Sequence, residues 1–143
     1  MRLNRDPWVA AANENGIRKI LSRLETLVPS GATNLQAGLT LIKGSGVTDL
    51  YLITDGLPTA GDSSYQSLNP FADCSALWGS ASRISGVCRL KLFVHTVNGV
   101  RLGGAKVNVI MLPIEGDANA AFAYWKWASR SKGLLISPAG GWP

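Results

Sequence analysis

Two side chains that carry oxygen, Thr33 and Asp55, are expected at one edge of an α/β sheet, where a metal ion could reach them. Asp55 stands in a Thr-Asp-Gly sequence directly after the apolar run 50–53, so a buried strand is expected to end in a carboxylate. Thr33 and Asn34 precede an apolar periodic segment, as residues at the start of a helix do. A hydroxyl and a carboxylate at one edge of an α/β sheet suit a hard cation such as Mg²⁺.

The elements that would position these side chains alternate between helical and strand patterns. Apolar residues at three- and four-residue spacing predict a helix over residues 14–28, and a second helix follows Thr33 or Asn34 and ends at Gly44. Three further segments have strand character: residues 47–54, 106–112 and 134–136. Asp117 is expected to cap a helix that ends near Arg130. The order of elements predicts an α/β fold.

Two segments between these elements are less regular. Residues 56–82 are rich in Gly, Pro, Ser, Asn and Asp, which predicts a long surface loop. Residues 83–97 fit a helix through Val87, Leu90, Val94 and Val97, although Leu90, Leu92 and Val94 also alternate as in a strand. We favour a helix here, in part because of the family resemblance described next.

The two candidate motifs resemble, in identity, order and context, the second and third metal-site motifs of the von Willebrand factor A domain. Thr33 matches the Thr loop of that family, and Asp55 matches its Asp loop. The segment 107–117, followed by Tyr124-Trp125 and the end of the chain, looks like a bacterial branch of the family. The first motif of the family, Asp-x-Ser-x-Ser, is not found upstream of Thr33. Its nearest match, Asp73-Cys74-Ser75, comes after the Asp loop and carries little weight.

The resemblance implies a fold, a metal and a kind of partner. The fold is an open, mainly parallel, Rossmann-like sheet flanked by helices, and residues 1–143 form one partial domain that lacks its first strands. Thr33 would ligate Mg²⁺ directly, and Asp55 would do so directly or through water. An acidic residue of a protein partner would complete the coordination, so the metal bridges two proteins. Because one of three loops is absent, we expect Mg²⁺ binding by this chain alone to be weak.

Other interpretations of the same residues stay open. Thr33 could be only a helix cap, and Asp55 only a turn residue before Gly56. The chain could be a degenerate domain that binds its partner without metal, or a small Mg²⁺-dependent hydrolase that uses Asp55. We do not expect an enzyme, because a base, a nucleophile and a phosphate loop are not recognisable. His95, the only histidine, has no triad-like partners in the sequence.

Several further residues have expected structural roles. Thr54 and Thr59 flank the Asp loop and could support it by hydrogen bonds or act as turn residues. Trp125 and Trp127 lie on one predicted helix, where packing explains them. Cys74 and Cys88 are the only cysteines. A disulfide and two free thiols both remain open for them; we favour free thiols and leave the cellular compartment undecided.

Charge and hydropathy narrow the classes of partner. The formal net charge is +5, but the Lys and Arg residues are scattered and no recognition-helix pattern accompanies them, so no nucleic-acid partner is expected. The sequence has no run of about 18 apolar residues, so no membrane span is predicted. The strand over residues 50–54 would lack a neighbour on one side if the first strands are absent. We expect this edge to be covered by a second copy, by a complementing chain or by residues 1–12.

Overall fold

A computed structural model describes residues 9–10, 12–28, 32–61, 86–113 and 117–137. The chain divides into two compact units, Met1–Gly31 and Ala32–Pro143. Helix α1 (Glu14–Glu25) belongs to the first unit and confirms the helix predicted over residues 14–28, although it ends three residues earlier. The side chain of Asn13 caps this helix by accepting a hydrogen bond from the backbone N–H of Gly16, at 3.0 Å.

The second unit contains a sheet of three parallel strands in the order β1-β2-β3. The strands are β1 (Asp49–Thr54), β2 (Lys106–Met111) and β3 (Leu135–Ile136), so all three predicted strands are confirmed. β1 begins two residues later than predicted. Its register places Thr54 opposite Met111, so the carboxyl ends of β1 and β2 lie side by side.

Three helices connect or precede these strands. They are α2 (Leu35–Ile42), α3 (Gly86–Gly99) and α4 (Ala120–Arg130). The segment with both helical and strand patterns is therefore a helix, and Leu92 and Phe93 on it are buried. Of the predicted loop over residues 56–82, positions 62–82 lie outside the described residues.

The core of the second unit lies between one face of the sheet and the helices. Because the strands follow one another in order, right-handed crossovers place α3 and α4 on the same face. Side chains from β2, α2, α3 and α4 meet there, among them Val109, Leu39, Phe93 and Tyr124. The unit is thus an α/β fold with an open parallel sheet flanked by helices, compatible with a Rossmann-like fold.

The opposite face of the sheet carries apolar side chains that are exposed. Tyr51 and Ile53 on β1 are 69% and 65% exposed, and Ile136 on β3 is also exposed. Within the described residues, β2 is the only strand that pairs with β1, so β1 is an edge strand there. The absence of further strands, the membership in the von Willebrand factor A family and the single domain over residues 1–143 stay predictions.

Candidate metal-binding site

The turn after β1 is fixed by two hydrogen bonds, one within the turn and one from α4. The Thr54 hydroxyl donates to the carbonyl oxygen of Gly56 at 2.9 Å, and the buried phenol of Tyr124 donates to the same oxygen at 3.0 Å. Asp55 lies between the two residues joined by the first bond, and its side chain is exposed. The turn therefore presents the Asp55 carboxylate to solvent while its backbone is held by the core.

A buried carboxylate, Asp117, fixes the next residue of the same loop. Its Oδ2 accepts a hydrogen bond from the backbone N–H of Leu57 at 2.8 Å and lies 3.8 Å from a guanidinium nitrogen of Arg89. A Cβ atom on Gly56 would come within 3.1 Å of that Oδ2, closer than ordinary van der Waals contact. Glycine after Asp55 thus permits the approach of Asp117, which ties the ends of β1 and β2 together.

The role that we expected for Asp117 was wrong. The residue before α4 is Asn119, whose side chain makes no capping hydrogen bond, and the helix begins at Ala120. Asp117 contributes only its backbone carbonyl to this turn, as the acceptor for the N–H of Ala120. Its carboxylate is drawn instead to the buried N–H of Leu57 and to the charge of Arg89, which together offset the cost of burying it.

Residues 32–34 before α2, the Thr33 turn, lie beside residues 55–60 after β1, the Asp55 loop. The N–H of Thr33 donates to the Thr59 hydroxyl at 3.0 Å, and the carbonyl oxygen of Thr33 accepts from the N–H groups of Thr59 and Ala60, both at 3.0 Å. Thr59 follows Asp55 by four residues, so the structure brings the two predicted motifs to the same edge of the sheet through their backbones. Thr54 and Thr59 both support the loops by hydrogen bonds.

The structure decides which residue caps α2. The side chain of Asn34 accepts a hydrogen bond from the N–H of Ala37 at 2.9 Å, so Asn34 and not Thr33 is the cap. Thr33 is exposed, and within the described residues its hydroxyl makes no hydrogen bond. This hydroxyl is therefore available to a ligand, although its role as a metal ligand stays a prediction.

The donors at this edge fit a water-rich Mg²⁺ site better than a closed one. Asp55 supplies one carboxylate that has no hydrogen bond or ion pair within the described residues, and Thr33 supplies one hydroxyl. Mg²⁺ takes six oxygen ligands and commonly keeps several waters while one or two carboxylates hold it. The described part of the chain contains no cluster of three or more His, Cys, Asp or Glu residues that could hold a metal ion.

Burial raises the pKa of Tyr124 to about 12. The hydrogen bond with Thr54 lowers this pKa, whereas the negative charges of Asp117 and Asp55 raise it further. The phenol thus keeps its proton further into the alkaline range than an exposed tyrosine and remains a hydrogen-bond donor to Gly56. A neutral donor is what the loop needs here, because a phenolate would face the carbonyl oxygen of Gly56 with like charge.

Two other sequence-based expectations are corrected. Cys88 is buried in α3 and is disulfide-bonded, so the expectation of free thiols was wrong. The other cysteine of the chain, Cys74, lies outside the described residues, as do Asp73 and Ser75. Trp127 packs edge-on against Phe93, but Trp125 is 53% exposed and lies outside the core, so core packing does not explain it.

Sequence reasoning missed the residues that hold the loop, Asp117, Tyr124 and Arg89. A signal for Asp117 was present, since it follows β2 as Asp55 follows β1, and the carboxyl ends of parallel strands meet at one edge. Tyr124 lies seven residues further on, within α4, and its position on the predicted helix was that of an ordinary core aromatic. No sequence signal indicated Arg89, because its partner is distant in the chain.

Comparison with known proteins gave no relatives: no family model, no curated protein and no solved structure matches this chain. The resemblance to the von Willebrand factor A domain therefore rests on the motifs themselves. Within the described residues, none of the helices has the length and apolar character that crossing a membrane requires.

Proposed function

We propose that this chain is a protein-interaction module of the von Willebrand factor A type, in which Thr33 and Asp55 contribute to a Mg²⁺ site that bridges to an acidic residue of a partner protein. One observation carries the proposal. Thr54, Tyr124, Asp117 and Thr33 hold the backbone of residues 56–60, and the Asp55 carboxylate is left exposed.

This arrangement favours a ligand-binding role for Asp55 over that of a turn residue. An aspartate that only stabilises a turn accepts a hydrogen bond from the backbone about two residues further on. Here the N–H of Leu57 donates to Asp117 instead, and the N–H of Gly56 lies 3.4 Å from the Thr54 hydroxyl. The turn is therefore stabilised by other residues, and Asp55 remains available for a cation.

A fixed loop also lowers the cost of binding. A ligand loop that must be ordered when the metal arrives loses conformational entropy at that moment, whereas this loop is ordered by its contacts with α4 and the Thr33 turn. Two protein oxygens still leave most of the coordination sphere to water. We therefore propose weak intrinsic affinity, and an acidic side chain of the partner supplies the additional oxygen that makes the complex stable.

The experiment is a calorimetric titration of the chain with Mg²⁺. The expected result is weak binding that Asp55→Asn abolishes and that Thr33→Val lowers, because each change removes one oxygen ligand. Asp49→Asn is the matched control, since Asp49 is an exposed aspartate at the other end of β1. Binding that survives Asp55→Asn, or that Asp49→Asn lowers equally, would contradict the proposed site. If the unsubstituted chain gives no heat of binding with Mg²⁺, a scaffold that binds its partner without metal is favoured.

A further inference from the structure

A groove of about 220 Å³ runs between α3 and α4. Leu90, Val94 and Val97 line it from α3, and Phe122, Lys126 and Arg130 line it from α4. The residues from α4 recur every four positions, so they form one stripe along the helix. The rings of Phe93 and Trp127, also in the lining, meet edge-on with their centroids 5.8 Å apart.

Exposed apolar side chains border this groove. Phe122 is 65% exposed and Val94 is also exposed. Phe122 packs against the exposed Trp125, with ring centroids 5.9 Å apart, so the aromatic surface continues beyond the groove. Large aromatic residues that remain exposed next to a concave surface are typical of contact sites, because a partner gains much buried area from them at a low entropic cost.

The charges of the two helices are all of one sign. α3 and α4 together contain Arg89, Lys91, Lys126 and Arg130 but no aspartate or glutamate. Arg89 forms an ion pair with Asp117, so its charge is partly balanced within the unit. Lys126 and Arg130 line the groove, and none of the described residues in its lining carries a carboxylate. The groove therefore combines an apolar floor with a cationic rim.

We propose that this groove binds an acidic amphipathic helix of a partner protein. Such a helix presents apolar side chains at i, i+3, i+4 and i+7 to a groove, and glutamates beside them would meet Lys126 and Arg130. The volume is below the roughly 300–1,000 Å³ of small-molecule sites, so it suits a few side chains and not a cofactor. The concave shape favours a helix over a membrane surface, which would contact only the rim.

This inference does not depend on the proposed metal site, since the groove lies between helices and none of its lining residues belongs to the Asp55 loop or the Thr33 turn. The partner helix would be a second contact. Asp55→Asn should therefore leave binding at the groove unchanged. Failure of the unsubstituted chain to bind Mg²⁺ would overturn the proposed function and leave this inference unaffected.

The test uses a fluorescent synthetic amphipathic peptide with leucines on one face and glutamates beside them, titrated with the full chain and followed by anisotropy. The expected result is salt-sensitive binding that falls about tenfold or more when Lys126→Glu and Arg130→Glu are combined. The matched control combines Lys43→Glu and Arg101→Glu, one exposed lysine and one exposed arginine that line a different cavity. The control should keep most of the affinity. Equal loss in both variants, or equal binding of a peptide with lysines in place of the glutamates, would overturn the proposal.

The apolar part of the groove is tested separately. Phe122→Ala should weaken binding of the peptide at least several-fold, whereas Leu41→Ala, at an exposed leucine of α2, should not. Circular dichroism verifies that each variant is folded. Vesicles of phosphatidylserine and phosphatidylcholine supply the competing test. If the chain binds these vesicles through Phe122 and Lys126 but does not bind the peptide, the groove serves a membrane surface and the proposal is wrong.

Discussion

At the scale of single residues, Asp117 connects the two strand ends that form the candidate site. Its carboxylate is buried, accepts the N–H of Leu57 and faces Arg89 at 3.8 Å. A buried acceptor of this kind leaves its partners unsatisfied when it is removed. The same contact orients the loop that carries Asp55, so stability and metal binding should depend on Asp117 together.

We predict that Asp117→Ala lowers the free energy of unfolding by about 2–4 kcal/mol, because the N–H of Leu57 and the charge of Arg89 lose their partner. Asp117→Asn, which can still accept from Leu57, should cost less. Urea denaturation measures both. Asp49→Ala, at an exposed position, serves as the control and should change stability by no more than about 0.5 kcal/mol. An Asp117→Ala variant as stable as this control would show that the contact with Leu57 contributes little.

Tyr124 gives a prediction for alkaline pH. Its pKa rises from 10.0 to about 12 in the folded chain, so the native state holds the proton more tightly than the unfolded state. This stability is fully present below pH 10.0 and is lost as the pH rises through about 12. The contribution is at most roughly 3 kcal/mol.

The measurement compares urea unfolding at about pH 9 and about pH 11.5 for the chain and for Tyr124→Phe. The unsubstituted chain should lose more stability between the two pH values, because phenylalanine has no proton to lose. The variant should also be about 1 kcal/mol less stable at neutral pH, where it lacks the hydrogen bond to Gly56. Parallel loss in both proteins would mean that other groups cause the alkaline unfolding.

The placement of Thr33 and Asp55 at one edge followed from local patterns, since a helix start and a strand end have sequence signatures. The role of Asp117 did not follow. Its position before a helix predicted a cap, and this local preference was overridden by a contact with Leu57, 60 residues away along the chain. Local patterns do not indicate which of several possible hydrogen-bond partners a folded chain brings nearest.

At the scale of elements, α2 positions the Thr33 turn. Its first turn is capped by Asn34, which accepts from the N–H of Ala37, and Leu35 and Leu39 bury it in the core. The backbone of Thr33 continues directly into this cap while bonding to Thr59. The start of α2 thus fixes where the Thr33 hydroxyl lies relative to the Asp55 loop.

We predict that Asn34→Ala lowers the free energy of unfolding by about 1 kcal/mol, the usual cost of losing a helix cap. Asn34→Asp should retain most of the stability, because a carboxylate also accepts from the N–H of Ala37 and interacts well with the start of a helix. Thermal unfolding of the three proteins makes the comparison. Equal stability of Asn34→Ala and the unsubstituted chain would show that solvent satisfies this N–H as well as Asn34 does.

Most element types were predictable because hydrophobic periodicity survives in the sequence. α1 has a clear helical period, whereas β1 and β2 are short apolar runs, and the ends of all three agree with the prediction to within three residues. α3 was ambiguous because Leu90, Leu92 and Val94 alternate within a helical stripe. In the helix, the adjacent residues Leu92 and Phe93 are both buried, which the alternation of a strand would not allow on one face.

At the scale of the whole molecule, β1 is the element that most lacks partners, because one of its faces is exposed and, among the described residues, its outer edge is unpaired. Parallel sheets are normally covered on both faces, yet Tyr51 and Ile53 of β1 are exposed. β1 also pairs only with β2 among the described residues. An exposed apolar edge strand is a template for pairing with another chain.

We predict that the purified chain associates with a second copy through β1, or with a complementing chain when one is supplied. Sedimentation velocity should show an association that rises with concentration. Ile53→Lys should weaken it, because a charged side chain on an edge strand opposes pairing. Leu41→Lys, at an exposed position of α2, is the control and should have no such effect. A monomer at all concentrations would contradict the self-association.

The sequence could not reveal the arrangement at this scale. Given the order β1-β2-β3, right-handed crossovers place α3 and α4 on one face, but the exposure of the face with Tyr51 and Ile53 depends on which other elements cover it. The disulfide of Cys88 was also not predictable, since sequence spacing does not show whether two Cβ atoms approach. Both properties depend on contacts between distant parts of the chain.

The proposed metal ion binds between the Thr33 turn and the Asp55 loop. The most direct measurement is the broadening of backbone amide signals by Mn²⁺, a paramagnetic substitute for Mg²⁺, in the nuclear magnetic resonance spectrum of this 15.2 kDa chain. The proposed site predicts that the amides of Thr33, Asp55 and Gly56 broaden first, that those of Gly103 and Gly104 in the turn before β2 do not, and that Asp55→Asn abolishes the effect. Broadening centred on other amides, or broadening that persists in Asp55→Asn, would show that the metal ion does not bind at this site.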